Sequence, residues 1–183
     1  MTPWSLRRAA PGDAEALALV GAATFLETYA GEMPGADIVA HCAARHGAAL
    51  YAEWLDRGWA TWLAEAPQGA PLGYAVLAEP DIPQRGPGDL ELKRIYVLSR
   101  LHGSGAGQAL FGAALEEARA RGAPRLLLGA YARNHRALAF YRRCGFREVG
   151  SRSFTVGGVT FDDDVVMALD LAEAGAEAGA GAG

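Results

Sequence analysis

The segment His102-Gly103-Ser104-Gly105-Ala106-Gly107 carries glycine at every second position, directly behind an apolar stretch. Glycines spaced in this way let backbone N–H groups converge on one point with no side chain in the way. From Gly105 or Ala106 onward, Leu110, Ala114, Leu115 and Ala118 fall on one face, which predicts a helix. Its N-terminus would add unpaired donors and a partial positive charge, so the combination suits a pyrophosphate. Two common phosphate loops fail residue by residue. A dinucleotide fingerprint counted from Gly103 or Gly105 meets Gln108 or Leu110 where its last glycine belongs, and a P-loop needs a lysine that this segment lacks. The glycines alone fit a flexible connection equally well.

A second pattern lies downstream: Asn134, Ala137, Phe140, Tyr141, Gly145 and Phe146 spell N-x-x-A-x-x-F-Y-x-x-x-G-F. With the turn, it resembles the two signatures of the GCN5-related N-acetyltransferase (GNAT) superfamily. The first of these is Q/R-x-x-G-x-G/A, matched here except that His102 stands at the Gln/Arg position. The detailed match spans Leu90 to Phe146. It implies acetyl-coenzyme A as co-substrate and no metal. By the same resemblance His102, Gly103, Ser104, Gly105, Ala106, Gly107 and Gln108 would hold the pyrophosphate. Ile95, Tyr96 and Val97 would meet the pantetheine arm and acyl carbonyl, and Asn134, Ala137 and Tyr141 would contact the cofactor from the other side.

Along Leu90–Leu98 the alternation changes phase. Leu90 and Leu92 are apolar at even positions, whereas Ile95 and Val97 are apolar at odd ones. A one-residue slip of this kind is what a β-bulge produces. An unbroken strand from which Lys93 or Arg94 snorkels is the alternative. The superfamily has a bulge in the corresponding strand, which splays it from its neighbour.

Moving an acyl group from a thioester to an amine poses two proton problems. The amine, with a pKa near ~10 by analogy with lysine, must lose a proton before attack. The leaving thiolate gains from receiving one, and an N–H facing the carbonyl oxygen stabilises the charge that develops there. Glu91, six residues before Val97, matches the superfamily's catalytic glutamate and is the candidate base, direct or through water. A solvated carboxylate or a partner for Arg94 is the competing reading. Tyr141 is the candidate acid, with core packing as its alternative. The Val97 N–H would face the oxyanion, and Asn134 would also cap its helix. His41 and His46, five apart, do not share a helix face and argue against a metal pair. Asp162-Asp163-Asp164 reads as a solvated hairpin end, Cys144 as a buried thiol, and Trp54, Trp59 and Trp62 as packing residues.

The acceptor is less legible. Phe25, Glu27 and Tyr29, in the stretch Phe25–Tyr29 followed by Ala30-Gly31, resemble the polyamine-acetyltransferase-like branch and are candidate substrate contacts. Glu27 and the Asp162–Asp164 cluster would attract a polycation. An amino acid, an aminoglycoside or a protein N-terminus or lysine remains open as acceptor, and an acyl-coenzyme A sensor without turnover is the competing class.

These residues need elements to position them. A short strand at Trp4–Arg8 precedes a helix capped by Asp13 and running towards Tyr29, broken by Met33-Pro34-Gly35. Helices over Ile38–His46 and Ala48–Leu55 follow, then strands Trp59–Ala64 and Leu72–Ala78, and an exposed connection Ile82–Gly88. The strand Leu90–Leu98 and its helix, ended by Gly122 and Pro124, lead to the apolar strand Arg125–Ala130. A helix Asn134–Tyr141 is ended by Gly145, and strands Phe146–Val149 and Asp164–Leu169 close the chain through Gly157-Gly158. This order predicts a mixed sheet with helices on both faces, α/β or α+β in class. The resemblance adds a mostly antiparallel sheet of six to seven strands with a splayed, bulged central strand. Residues 1–171 are expected to form a single domain, and the Ala/Gly/Glu tail from Ala172 to be disordered. The 183 residues are 51% hydrophobic and 21% charged with net charge −4, which speaks against nucleic acid as a partner. No apolar run reaches the roughly 18–20 residues of a membrane span, and no secretory leader is apparent, so a cytoplasmic protein acting on a small-molecule amine, with a homodimer compatible, is expected. Cys42 and Cys144 read as free thiols.

Overall fold

A computed structural model describes residues 4–156 and 159–171. The expected tail from Ala172 and the turn Gly157-Gly158 lie outside the described residues. Seven strands form one sheet in the order β1-β2-β3-β4-β5-β7-β6. They are β1 (Ser5–Arg8), β2 (Ala60–Glu65), β3 (Pro71–Ala78), β4 (Leu90–Val97), β5 (Arg125–Ala130), β6 (Arg147–Val156) and β7 (Val159–Asp170). All neighbours pair antiparallel except β4 and β5, which are parallel. The helices are α1 (Ala14–Tyr29), α2 (Gly35–Arg45), α3 (Ala48–Asp56), α4 (Ala106–Ala120) and α5 (His135–Arg143). Among the described residues no helix is long and apolar enough to cross a membrane.

The two sheet faces carry different cores. Leu110, Ala114 and Ala118 of α4 are fully buried at a spacing of four, so a ridge of small side chains lies against Ala60, Ala75, Leu77 and Leu126. Leu138 and Tyr141 of α5 and Phe146 complete that face. On the other, Leu17 and Val20 of α1 pack with Tyr51 and Trp54 of α3 over Leu63, Tyr74 and Val76. Gly21 of α1 is required there, because a Cβ on it would lie 2.3 Å from Tyr51 Oη and 2.5 Å from His46 Nδ1.

The phase slip in β4 is a bulge. Arg94 pairs with Val76 and Leu92 with Leu77, so Lys93 is the unmatched residue. Leu90, Leu92, Ile95 and Val97 therefore all face α4, although their parity differs. Parallel pairing of β4 with β5 stops after Leu90–Leu126 and Glu91–Leu127. Beyond it the two strands fork.

Several details differ from expectation. The Asp13 carboxylate does not cap α1; it accepts the Ala10 N–H and binds Arg7 through both oxygens. Arg7 holds that carboxyl below the usual carboxylate range. Ile82 is fully buried against Leu127, Val166 and Ala168, so the connection between β3 and β4 folds over the sheet instead of standing in solvent. Its return is pinned by Asp89, which accepts from Gly86 N–H at 2.6 Å and from Arg125 at 2.5 Å. β6 and β7 run well beyond the short closing strands read from the sequence. Asp164 is buried beside Arg152 at 3.8 Å, not at a solvated hairpin end.

Candidate active site

The fork between β4 and β5 opens a cleft of about 630 Å³, of the size that takes a cofactor-like ligand. One end is the glycine turn. A 3₁₀ turn over Ser99–Leu101 leads into it, and Gly103 (φ +81°) and Gly105 (φ +86°) adopt the left-handed conformation that favours glycine. Ser104 N–H is bound to Leu101 O, and Ala106 N–H to the Ser104 hydroxyl. The N–H groups of Gly103, Gly105, Gly107 and Gln108 take no protein acceptor among the described residues. A Cβ at Gly103 or Gly107 would meet nothing within 4 Å, so open space lies over those donors. This cradle fits a pyrophosphate. Ser104 and Ala106 do not line the cleft: Ser104 shapes the turn and Ala106 is buried against Leu72 and Leu101.

His102 lines the cleft and its Nδ1 meets the guanidinium of Arg136. Burial and that arginine depress its pKa, so it stands as a neutral ring. Arg133, Arg136 and Arg143 bring positive charge to the same rim, which matches an anionic ligand although the whole chain is acidic. None of the three was singled out in the sequence. Spacing around Asn134–Phe146 gave no reason to separate rim arginines from ordinary exposed ones.

The middle of the cleft is lined by Ile95, Tyr96 and Val97 on the β4 arm and by Gly129, Ala130 and Tyr131 on the β5 arm. β4 is tight against β3 here, since a Cβ on Gly73 would lie 2.6 Å from Val97 Cγ1 and 2.8 Å from Tyr96 O. Across the cleft α5 contributes Asn134, Ala137 and Tyr141. Asn134 Oδ1 accepts the Ala137 N–H at 3.0 Å, capping the helix as expected. Tyr141 is buried yet lines the cleft, and its hydroxyl has no protein partner among the described residues. Burial raises its pKa, so the phenol keeps its proton. Cys144, read as buried, is half-buried and on the cleft wall, 3.9 Å from Gln108 Oε1.

Glu91 sits at the crotch of the fork, 1% exposed, and does not itself line the cleft. One carboxylate oxygen accepts from Asp81 N–H and from Lys93 Nζ, both at 3.1 Å; the other lies 3.8 Å from Arg152. Its partners are thus Lys93 and Arg152, not Arg94. Desolvation raises its pKa, with Lys93 opposing. The bulged Lys93, which also pairs with Asp81 at 2.9 Å, stands between this carboxylate and the cleft.

The face opposite α4 supplies the remaining wall. Tyr29 and Glu32 line it. Phe25 does not; its ring is stacked on His41 at 4.2 Å inside the α1–α2 core. Glu27 lines the cleft, but its carboxylate is engaged by Ser99 N–H at 2.8 Å and the Ser99 hydroxyl at 3.2 Å, which ties α1 to the start of the glycine turn. His41 and His46 come together, with rings 5.7 Å apart, because His46 lies just past the end of α2 and turns back. Burial first, then Arg94, lowers His46 to about 3, and His41 is lowered to about 4. Arg94 reaches from β4 to His46 Nε2 at 2.9 Å and to Arg45 O at 3.2 Å.

Residues 22–146 match the Acetyltransferase (GNAT) family. An uncharacterised N-acetyltransferase of Mycobacterium tuberculosis is 34% identical over 159 residues, covering 87% of this chain and 98% of its own length; one from Mycobacterium bovis matches to the same extent. Among solved structures, a ribosomal-protein-alanine N-acetyltransferase from Brucella melitensis superposes with a TM-score of 0.69 at 28% identity, over 91% of this chain and 99% of that one. The PaiA N-acetyltransferase from Thermoplasma acidophilum, solved in complex with coenzyme A, gives a TM-score of 0.72 at 18% identity, over 92% and 99%.

Proposed function

This chain belongs to the GNAT acetyltransferase family and is an acetyl-coenzyme A-dependent acyltransferase; within that activity we propose that it acetylates a small primary amine by direct attack in the β4/β5 fork. The observation that carries this reading is the cradle of unengaged N–H groups at Gly103–Gln108, placed at one end of the cleft whose other wall holds the Tyr141 hydroxyl. Acetyl-coenzyme A supplies the activated thioester. The turn and the arginine rim take its phosphates, and the Ile95–Val97 edge, left unpaired where β4 parts from β5, offers main-chain groups to the pantetheine and the carbonyl.

Tyr141 holds its proton toward the leaving sulfur. Its raised pKa lies above that of a thiol, so the phenol acts chiefly by donating a hydrogen bond to the thiolate. Glu91 draws the proton from the attacking amine through water, because its carboxylate sits behind Lys93 and does not reach the cleft directly. A carboxylate with a raised pKa is the stronger base of its kind. A Glu91→Gln variant is expected to lose about 10²-fold in kcat and to lose the ascending limb of the pH–rate profile. Unchanged turnover with an unchanged profile would remove Glu91 from the mechanism and leave it as the counter-ion of Lys93.

A further inference from the structure

We propose that the acceptor amine carries a carboxylate and that Arg94 recognises it, making amino-acid-like acceptors the preferred substrates. This rests on the acetyl-transfer reading above and names the acceptor class for the same site. Arg94 lies on the cleft wall, and it faces α2 and α3, opposite the arginine rim and the glycine turn. It therefore belongs to the acceptor side. Arg94 is half-buried as a residue and its protein partners are neutral: His46 at 2.9 Å, the carbonyl of Arg45 at 3.2 Å, the Tyr74 hydroxyl, and the face of Trp54 at 5.3 Å. No carboxylate pairs with it among the described residues.

Arg7, Arg8, Arg121, Arg125 and Arg147 each hold an acidic partner, and a partly buried cation with none has a desolvation cost that a ligand anion can offset. A guanidinium has five donors in a fixed fork suited to a carboxylate, and Arg94 commits only part of them. The His46–Tyr51–Tyr74 chain fixes it from behind. His46 Nε2 and Nδ1 lie 2.9 Å and 3.2 Å from Arg94, Nδ1 is also 2.9 Å from Tyr51 Oη, and Tyr51 donates to Tyr74 at 3.1 Å. The phenols of Tyr29 and Tyr96 stand on the same wall as additional polar groups.

Several acidic groups that would favour a polycation are occupied elsewhere, although Glu32 also lines the cleft. Glu27 is bound by Ser99, Asp164 lies against Arg152, and Glu91 and Asp81 are shared by Lys93 and Arg152. A cation at Arg94 also disfavours the ammonium form of an amine held nearby, which aids its deprotonation.

The test uses matched acceptors: a panel of amino acids, each as the free acid and as its carboxamide, with a linear polyamine alongside. Thiol release from acetyl-coenzyme A is measured with each. For the best acceptor the free acid is expected to exceed its carboxamide by about 10- to 100-fold in kcat/KM, the span of a charge-assisted hydrogen bond. Arg94→Gln should abolish that preference while acetyl-coenzyme A affinity, measured by calorimetry, stays within about 3-fold, and Arg94→Lys should restore part of it. Carboxamides or the polyamine performing as well as the free acids in the wild-type chain would overturn the proposal and leave the acetyl-transfer reading standing. So would a preference that survives Arg94→Gln. If that variant fails to bind acetyl-coenzyme A, the wild-type comparison decides alone. Absence of release with every amine would overturn the acetyl-transfer reading itself.

Discussion

Tyr141 carries two roles whose separation is measurable. Its ring is part of the core between α4, α5 and Phe146, while its hydroxyl opens onto the cleft without a protein partner among the described residues. Tyr141→Phe keeps the ring and removes only the donor. Thermal stability is therefore expected to change by less than about 1 kcal/mol, and the affinity for acetyl-coenzyme A little, whereas kcat should fall about 10²-fold. Steady-state kinetics beside a denaturation curve checks both. A large stability loss with proportionate kinetics would mean that the hydroxyl serves packing. Tyr141 and Asn134 were legible because a fixed motif holds them on one short helix. Arg94 was not: its partners Arg45, His46 and Trp54 come from α2, the residue after it and α3, roughly forty to fifty positions away, and no local period links them. The half-buried Cys144 was misjudged for a similar reason, since the cleft wall it joins is completed by Gln108 of α4.

At the scale of elements, the bulge at Lys93 was readable because burial is a face property. Leu90 and Leu92 can share a core with Ile95 and Val97, of opposite parity, only if one residue between the pairs is left out of register. Ile82 was misplaced because its flanking prolines and glycines signal a turn, and turn chemistry says nothing about which sheet face the turn folds over. Gly21 carried no signal at all. A glycine inside a helix reads as a weakness of about 1 kcal/mol relative to alanine, yet here it seats Tyr51 and His46 against α1. Gly21→Ala is accordingly expected to destabilise the protein by about 1–3 kcal/mol through overpacking, outweighing the gain in helix propensity. Because the displaced groups are those behind Arg94, acceptor KM should rise more than acetyl-coenzyme A KM. Urea denaturation and initial-rate kinetics on the one variant test the two halves.

For the whole molecule, the buried histidines tie stability to pH. His46 and His41 are neutral in the fold, lowered to about 3 and about 4 from an ordinary value near 6.5 by burial and by Arg94. Below pH 6.5 the unfolded chain takes up protons that the folded chain refuses, so stability falls as pH drops from about 6.5 towards those values and is flat above. Between pH 7 and pH 5 the loss should be about 1–2 kcal/mol for each histidine. Guanidinium titrations at the two pH values measure it, and His46→Gln should flatten the slope; an equal slope in that variant would place the dependence on other groups. Charge was legible only as a total. Net −4 spoke against nucleic acid as a partner and located no charge, whereas the fold gathers Arg133, Arg136 and Arg143 on one rim.

Whether the forked cleft with its glycine turn passes an acetyl group to an amine is tested most directly by thiol release from acetyl-coenzyme A, followed together with the mass of the amine product. Release is expected to require an amine and to match the acetylated product mole for mole. Tight binding of acetyl-coenzyme A with no release for any amine would contradict it.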